Sequence, residues 1–287
     1  MPAELETLIR QLREDRAAGA IELARQALAG LGTYAERVPA RSVPGLRASL
    51  AEAAMQVTAS RPAVTPLMTL VNDWHGRIER VEAGTLQALR AHAVVSAARL
   101  SEHSRSAGAS TAANVAAWIG PGRTVLTHGW STTVLACFAQ IAALGGLRVI
   151  CTEARPLNEG RQLAARAAGL GVPVTLITDA QLALAATAAD VVLVGADTVL
   201  VDGAVVGKAG TWPMALAARA VDIPFVVAAE SCRRSPELSV SLEDQDPAEV
   251  GAPLPGVMLR NRRFDVTPPD LVTAWIDEHG VWTGEAA

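Results

Sequence analysis

The chain has 287 residues, half of them hydrophobic, with aromatics at only 3% and charged residues at 19%. That length supports a sizeable aliphatic core in one large domain or two smaller ones. A net charge of −4 argues against nucleic acid or an anionic membrane as the main partner, and points to small molecules or protein.

Cys137, Cys151 and Cys232 are far apart and form no CxxC pair. They read as reduced thiols of a cytoplasmic protein, with no disulfide frame and no metal site. The charged, helix-forming start MPAELETLIRQLRED is unlike a signal peptide, and no apolar run reaches the length of a membrane span. No cofactor motif stands out.

Residues 1–102 read as helical. Leu5, Leu8, Ile9 and Leu12 recur at helical spacing, and Ile21, Leu23, Ala24, Leu28 and Leu31 form a second such face. Gly30, Gly32, Pro39, Pro44 and Gly45 are expected to punctuate a loop. Further helices are expected over 46–57, 65–74 and 78–100. Arg61, beside a proline near a helix start, is the polar residue of this part to watch.

After Ser101 the character changes, and the small, polar stretch 103–109 reads as a junction. From Ser110 strands and helices alternate: a helix to 119, a strand at 124–127, a helix over 132–144 and a strand at 147–151. A helix over 158–168, a strand at 174–178 and a short helix over 181–188 follow. Such alternation implies an α/β fold with a mostly parallel sheet of right-handed crossovers. The stretch DVVLVGADTVLVDGAVVGKAGT (190–211) is the centre of it. Val191 to Val194 suit a strand buried on both faces, with Asp197 just beyond its carboxyl end, where open α/β sheets place ligands. A hairpin turning at Asp202-Gly203 then returns Lys208, Gly210 and Thr211 to the same end, with Thr211 as helix cap. A helix over 211–220 and a strand at 225–229 complete the series. Residues 232–262 are expected to be irregular, and FDVTPPDLVTAWIDEHG is expected to form a helix capped by Thr267 and ending at His279.

Polar residues gather at one edge of this sheet. They are His128, Gly129, Ser131 and Thr132 in the first turn; Glu153, Arg155 and Glu159 after the second strand; Asp197, Gly207 and Lys208 at the centre; and the Glu230 stretch after the fifth strand. Each turn by itself also fits ordinary capping or a structural salt bridge. Four at one edge point to a small anionic ligand, most simply a phosphate ester.

THGWST, TEARPLNEGRQLA, GADTVLVDGAVVGKAGT, PFVVAAES and FDVTPPDLVT, in this order, closely resemble one family. It joins the alpha, beta and delta subunits of translation initiation factor 2B to isomerases of ribose 1,5-bisphosphate and methylthioribose 1-phosphate. SRPAVTPLMTLVN extends the likeness into the helical part. The resemblance implies a helical domain over 1–102 and a Rossmann-like ligand-binding and dimerisation domain over 103–287.

In the isomerases the turn at Gly129 reads Thr-His-Cys, and that cysteine with the aspartate at Asp197 is held to move the protons. They also carry Asn where Gly207 stands. The resemblance therefore implies a family protein with a sugar-phosphate or nucleotide-monophosphate pocket, regulatory and without the isomerase cysteine. Arg155, Lys208 and the Ser131-Thr132 helix start would hold the phosphate, Asp197 the sugar hydroxyls, and Arg61 would close the pocket. The alternative is a divergent aldose–ketose isomerase using Asp197 as acid/base, with Glu153, Cys151 or Cys232 as its second group. A homodimer or larger homo-oligomer is expected.

Overall fold

The computed structural model describes residues 3–15, 18–240, 242 and 244–282. Among them the chain forms nine α-helices and ten strands in two compact units, Met1–Ser106 and Ala107–Ala287.

The first unit is helical: α1 Ala3–Glu14, α2 Ala20–Arg37, α3 Val43–Ser60, α4 Thr65–Arg80 and the start of α5 Leu86–Ile119. The expected apolar faces are its core, with Leu12, Leu28, Leu31, Leu46, Leu50, Leu67 and Trp74 fully buried. Trp74 Nε1 donates to the Ala93 carbonyl at 2.9 Å, so the indole N–H is filled. One expectation fails here. Gly30 and Gly32 lie within α2, not in a loop. A Cβ on Gly30 would sit 2.5 Å from Leu8 Cδ1, so this glycine lets α1 pack onto α2. The 103–109 stretch, expected as a junction, is continuous helix within the 34-residue α5, and the boundary between the two units falls inside it. It holds no proline, and its small residues do not break a helix. Ser104 is buried and bonded by Arg25 Nε at 2.8 Å.

The second unit is α/β. Its main sheet holds β1 Thr124–Thr127, β2 Arg148–Thr152, β3 Val174–Ile177, β4 Val191–Gly195, β7 Phe225–Ala228, β9 Ala274–Asp277 and β10 Gly280–Trp282. The order is β10-β9-β7-β4-β1-β2-β3, and all pairs are parallel except β9 with β10. The helices α6 Thr132–Leu144, α7 Glu159–Gly169, α8 Leu182–Ala186 and α9 Thr211–Ala220 are the crossovers. Two apolar clusters fill the faces, one around Phe138, Ile141 and Leu193, the other around Val192, Met214 and Phe225. The chain leaves β1 toward β2 on one side and reaches β4 on the other. The crevice outside β1 and β4 is therefore the switch point of the sheet.

Antiparallel β5 Thr198–Val199, β6 Val205–Lys208 and β8 Phe264–Thr267 form a second, three-stranded sheet. Its hairpin turns as expected, with Gly203 at φ +86° and Asp202 Oδ1 accepting from the Ala204 N–H. The expected carboxyl-terminal helix is absent. Thr267 ends β8, Pro269–Leu271 make a single 3-10 turn, and Ala274–Asp277 are strand. Those four residues are buried on both faces and extend the sheet beside β7. Tertiary burial overrides local propensity there.

Candidate functional site

The strand ends do converge, and glycines record how closely. A Cβ on Gly195 would lie 2.6 Å from Ser131 Oγ, one on Gly129 3.2 Å from Lys208 Cβ, and one on Gly210 2.6 Å from His128 Nε2. The turns after β1, β4 and β6 thus touch. Gly160 would place a Cβ 1.8 Å from the Thr152 carbonyl oxygen, so only glycine lets α7 start against the end of β2.

His128 is a clamp. Its Nε2–H donates to the Ala209 carbonyl at 2.8 Å, and Nδ1 accepts from Thr152 Oγ1 at 2.5 Å. Burial lowers its pKa, so the ring is neutral and ties β1 to the β6–α9 turn. Gly129 sits at φ +77°, a left-handed conformation that penalises any other residue. A cysteine there meets both this strain and the stem of Lys208. Ser131 caps α6, accepting from the Val134 N–H at 3.2 Å, and Thr132 opens the helix on the surface.

Asp197 lies two residues beyond β4. The peptide before it is gripped at both ends: the Ala196 carbonyl accepts from Arg233 Nη1 at 2.7 Å, and the Asp197 N–H donates to the Val206 carbonyl at 2.9 Å. Burial raises the Asp197 pKa; the charges of Arg233, Lys208 and Arg263 oppose that rise, and Glu159 adds to it. The carboxyl is therefore biased toward its protonated form amid three cations.

Lys208 Nζ pairs with Glu159 Oε2 at 2.6 Å. Arg263 Nη2 meets Glu249 Oε1 at 3.3 Å, while its buried Nε has no acceptor among the described residues. A buried donor left unfilled costs about 1–3 kcal/mol, and more when charged.

Not every expected residue joins this group. The Arg155 guanidinium is exposed and donates to the Pro156 and Val250 carbonyls. Its backbone N–H and that of Ala154 are held by Asp179 at 2.7 and 2.8 Å. Gly207 abuts Thr211 Oγ1, and Glu153 is half-buried at the end of β2. Arg61 belongs to the helical unit, where it donates to the carbonyls of Leu12, Arg13 and Asp15 at the end of α1. Thr211 is not the cap of α9: Gly210 takes that position at φ +115°, and Asp265 accepts from the Gly210 and Trp212 N–H groups. Neither candidate thiol ionises near neutrality, since burial pushes Cys151 and Cys232 both up to about 12.

Sequence reading missed Arg233, Arg263, Asp179 and Asp265. Glu230 and Arg233 form a buried pair at 2.6 Å, with Glu230 Oε1 also accepting from Thr133 Oγ1 at 2.7 Å. Burial works to raise the Glu230 pKa, yet Arg233 and these hydrogen bonds bring it below the usual carboxylate range. The signal available was AAESCRR directly after a core strand. Arg263 and Asp265 flank Phe264 in FDVTPP, a stretch read as a helix start.

The model of the initiation factor 2 subunit family matches residues 16–284. The chain belongs to that family. Ribose 1,5-bisphosphate isomerase of Haloferax volcanii is 34% identical over 278 residues, covering 93% of this chain and 85% of the relative. A 5-deoxyribose 1-phosphate isomerase of Moorella thermoacetica is 31% identical over 303 residues, covering 98% and 86%. The solved translation initiation factor eIF-2B of Pyrococcus horikoshii OT3 superposes with a TM-score of 0.84 at 30% identity, covering 99% of this chain and 98% of that one. These relatives thus divide between sugar-phosphate isomerases and an initiation factor. No helix among the described residues is long and apolar enough to cross a membrane.

Proposed function

We propose that the carboxyl rim of the sheet is a sugar-phosphate site at which Asp197 serves as the acid/base group of an aldose–ketose isomerisation. The observation that carries this reading is the Asp197 carboxyl itself. It stands at the switch point, oriented through its own peptide group and biased toward the protonated form beside Lys208. Turning an aldose 1-phosphate into its ketose breaks the C1–O4 ring bond with a proton delivered to O4. It also moves a proton from C2 to C1 and takes the C2 hydroxyl proton as that oxygen becomes the carbonyl. A carboxyl whose pKa is raised by burial can give and take such a proton. Lys208 and the α6 start at Ser131-Thr132 would hold the phosphate, with Arg155 and Arg61 as further candidates. Glu153 and Glu159 are the remaining carboxylates of this rim. A cytoplasmic homodimer working without a cofactor, with 1–102 as its helical domain and 103–287 as its ligand domain, completes the proposal.

One observation favours a second reading, a regulatory protein that binds the ligand without turnover. Gly129 brings no side chain to the turn, and Cys151 and Cys232 stay protonated. One experiment separates the two. Incubating the protein with an aldose 1-phosphate in D2O and following it by 31P and proton NMR should show ketose formation. Asp197→Asn should cut the rate about 100-fold or more with binding retained. Binding by the wild type with no turnover supports the regulatory reading; no binding of any sugar phosphate removes both.

A further inference from the structure

The turn after β7 carries a buried arginine on a fixed platform. Ser231–Arg233 form one 3-10 turn. The Ser231 N–H donates to Glu278 Oε2 at 2.9 Å, and the Ser235 N–H just beyond donates to the Val199 carbonyl at 2.8 Å. From there Arg233 reaches inward and uses two edges of its guanidinium at once. Nε donates to Glu230 Oε2 at 2.6 Å and Nη1 to the Ala196 carbonyl at 2.7 Å. Glu230 is in turn held by Thr133 Oγ1 at 2.7 Å, in the first turn of α6. The helix α5 closes over it, since a Cβ on Gly108 would lie 3.4 Å from Glu230 Oε1. A continuous chain of hydrogen bonds thus runs from the start of α6 to the peptide that carries Asp197.

That peptide is planar, so its orientation follows from its two polar groups. Arg233 holds the Ala196 carbonyl and the Val206 carbonyl holds the Asp197 N–H, which together fix the base from which the Asp197 side chain leaves. The same guanidinium bears on the carboxyl through its charge. Burial raises the Asp197 pKa, and Arg233 is the strongest charge opposing that rise. Glu159 of α7 adds to the rise, while Lys208 of β6 and Arg263 beside β8 oppose it. We propose that Arg233 is a positioning residue for Asp197, aimed by Glu230 and Thr133 and acting through the Ala196–Asp197 peptide. The inference rests on Asp197 as the acid/base group, to which it adds the side chains that set its direction.

Two measurements on each variant test it. One is turnover, per folded protein, of ribose 1,5-bisphosphate and 5-deoxyribose 1-phosphate, the compounds named for the relatives. The other is a 13C NMR titration of the aspartate carboxyls, in which the Asp197 signal is the one lost in Asp197→Asn. Glu230→Gln combined with Arg233→Met removes both charges together, so neither is stranded. It should lower kcat about 10-fold or more at a KM within about twofold, and move the Asp197 titration upward by about 0.5 pH unit or more. Arg233→Lys keeps the charge but lacks the fixed fork that spans both acceptors. It should lose kcat several-fold while the Asp197 titration stays within about 0.3 pH unit of the wild type. Wild-type kcat in the double variant would overturn the inference and leave the reading of Asp197 intact. An Asp197 titration unmoved in the double variant would overturn it too, leaving Arg233 as framework alone. If the wild type turns over neither compound, the acid/base reading falls and this inference with it. Should the double variant fail to fold, Arg233→Lys and Thr133→Val carry the test. Thr133→Val frees one oxygen of Glu230 and should lower kcat less than Arg233→Lys; wild-type kcat in both would overturn the inference.

Discussion

Two buried charge clusters occupy the same rim of the α/β unit, and they are built differently. In the Glu230–Arg233 cluster the carboxylate is shared between Thr133 and Arg233, and the guanidinium also serves the Ala196 carbonyl. No buried polar atom of either residue lacks a partner. Lys208 and Arg263 each have one carboxylate, Glu159 and Glu249, and the buried Arg263 Nε has no acceptor among the described residues. A filled cluster fixes the framework, because every group it desolvates is compensated within the chain. An under-filled one keeps its cost. Arg233 accordingly orients the peptide before Asp197, whereas Arg263 keeps one buried N–H uncompensated among the described residues.

The largest expected effect comes from breaking the filled cluster. Arg233→Ala strands Glu230, which is 2% exposed, as an uncompensated buried carboxylate. Losing one partner of such a pair costs about 3–5 kcal/mol, read as a shift in the denaturation midpoint at unchanged slope. A loss below about 1 kcal/mol would show that Arg233 is no framework residue, and the comparison would fail.

Asp265 lies between the two cases. Its carboxylate is filled by the N–H groups opening α9 but has no ion-pair partner among the described residues. Burial raises its pKa to about 6, against the downward pull of those N–H groups. The folded value lies above the unfolded one. The stability Asp265 contributes is therefore fully present below about pH 4 and lost as pH rises through 6. The shift is worth about 2–3 kcal/mol. The stability difference between the wild type and Asp265→Asn should change by that amount between pH 4 and 7 and be flat above. A difference independent of pH would place Asp265 among the ordinary surface carboxylates.

The two clusters also mark what the sequence makes legible. Val191 to Val194 and Phe225 to Ala228 are continuous apolar runs, so the strands, their parallel order and the polar edge follow from pattern alone. Asp197, Lys208 and Ser131 stand directly at strand or helix ends, and local reading finds them. Arg233 and Arg263 lie in polar or irregular stretches, and only the pairing of β6 with β8 and the turn after β7 bring them to the rim. The carboxyl-terminal strand was hidden for the same reason. Ala-Trp-Ile-Asp becomes a strand because β7 leaves an edge for it to cover, and nothing within those residues says so. Arg155 also stands beside a strand end, and its exposed guanidinium donates to the Pro156 and Val250 carbonyls.

The smallest expected effect on stability is at Lys208, and it is the most discriminating. Lys208→Met keeps the aliphatic stem that packs under Gly129 and removes the ammonium. Glu159 loses its partner but remains 29% exposed, so water can solvate it. The change removes one ion pair and frees a carboxylate that water can reach. The net change should stay within about 1 kcal/mol of the wild type. Ligand-dependent stability should respond quite differently. At about a hundred times its dissociation constant a sugar phosphate adds about 2.7 kcal/mol to the wild type, and Lys208→Met at the same concentration should gain far less. A variant that melts like the wild type without ligand and ignores the ligand separates binding from framework within one side chain. If Lys208→Met instead destabilises the free protein as severely as Arg233→Ala, its ammonium is structural, and the second cluster is framework after all.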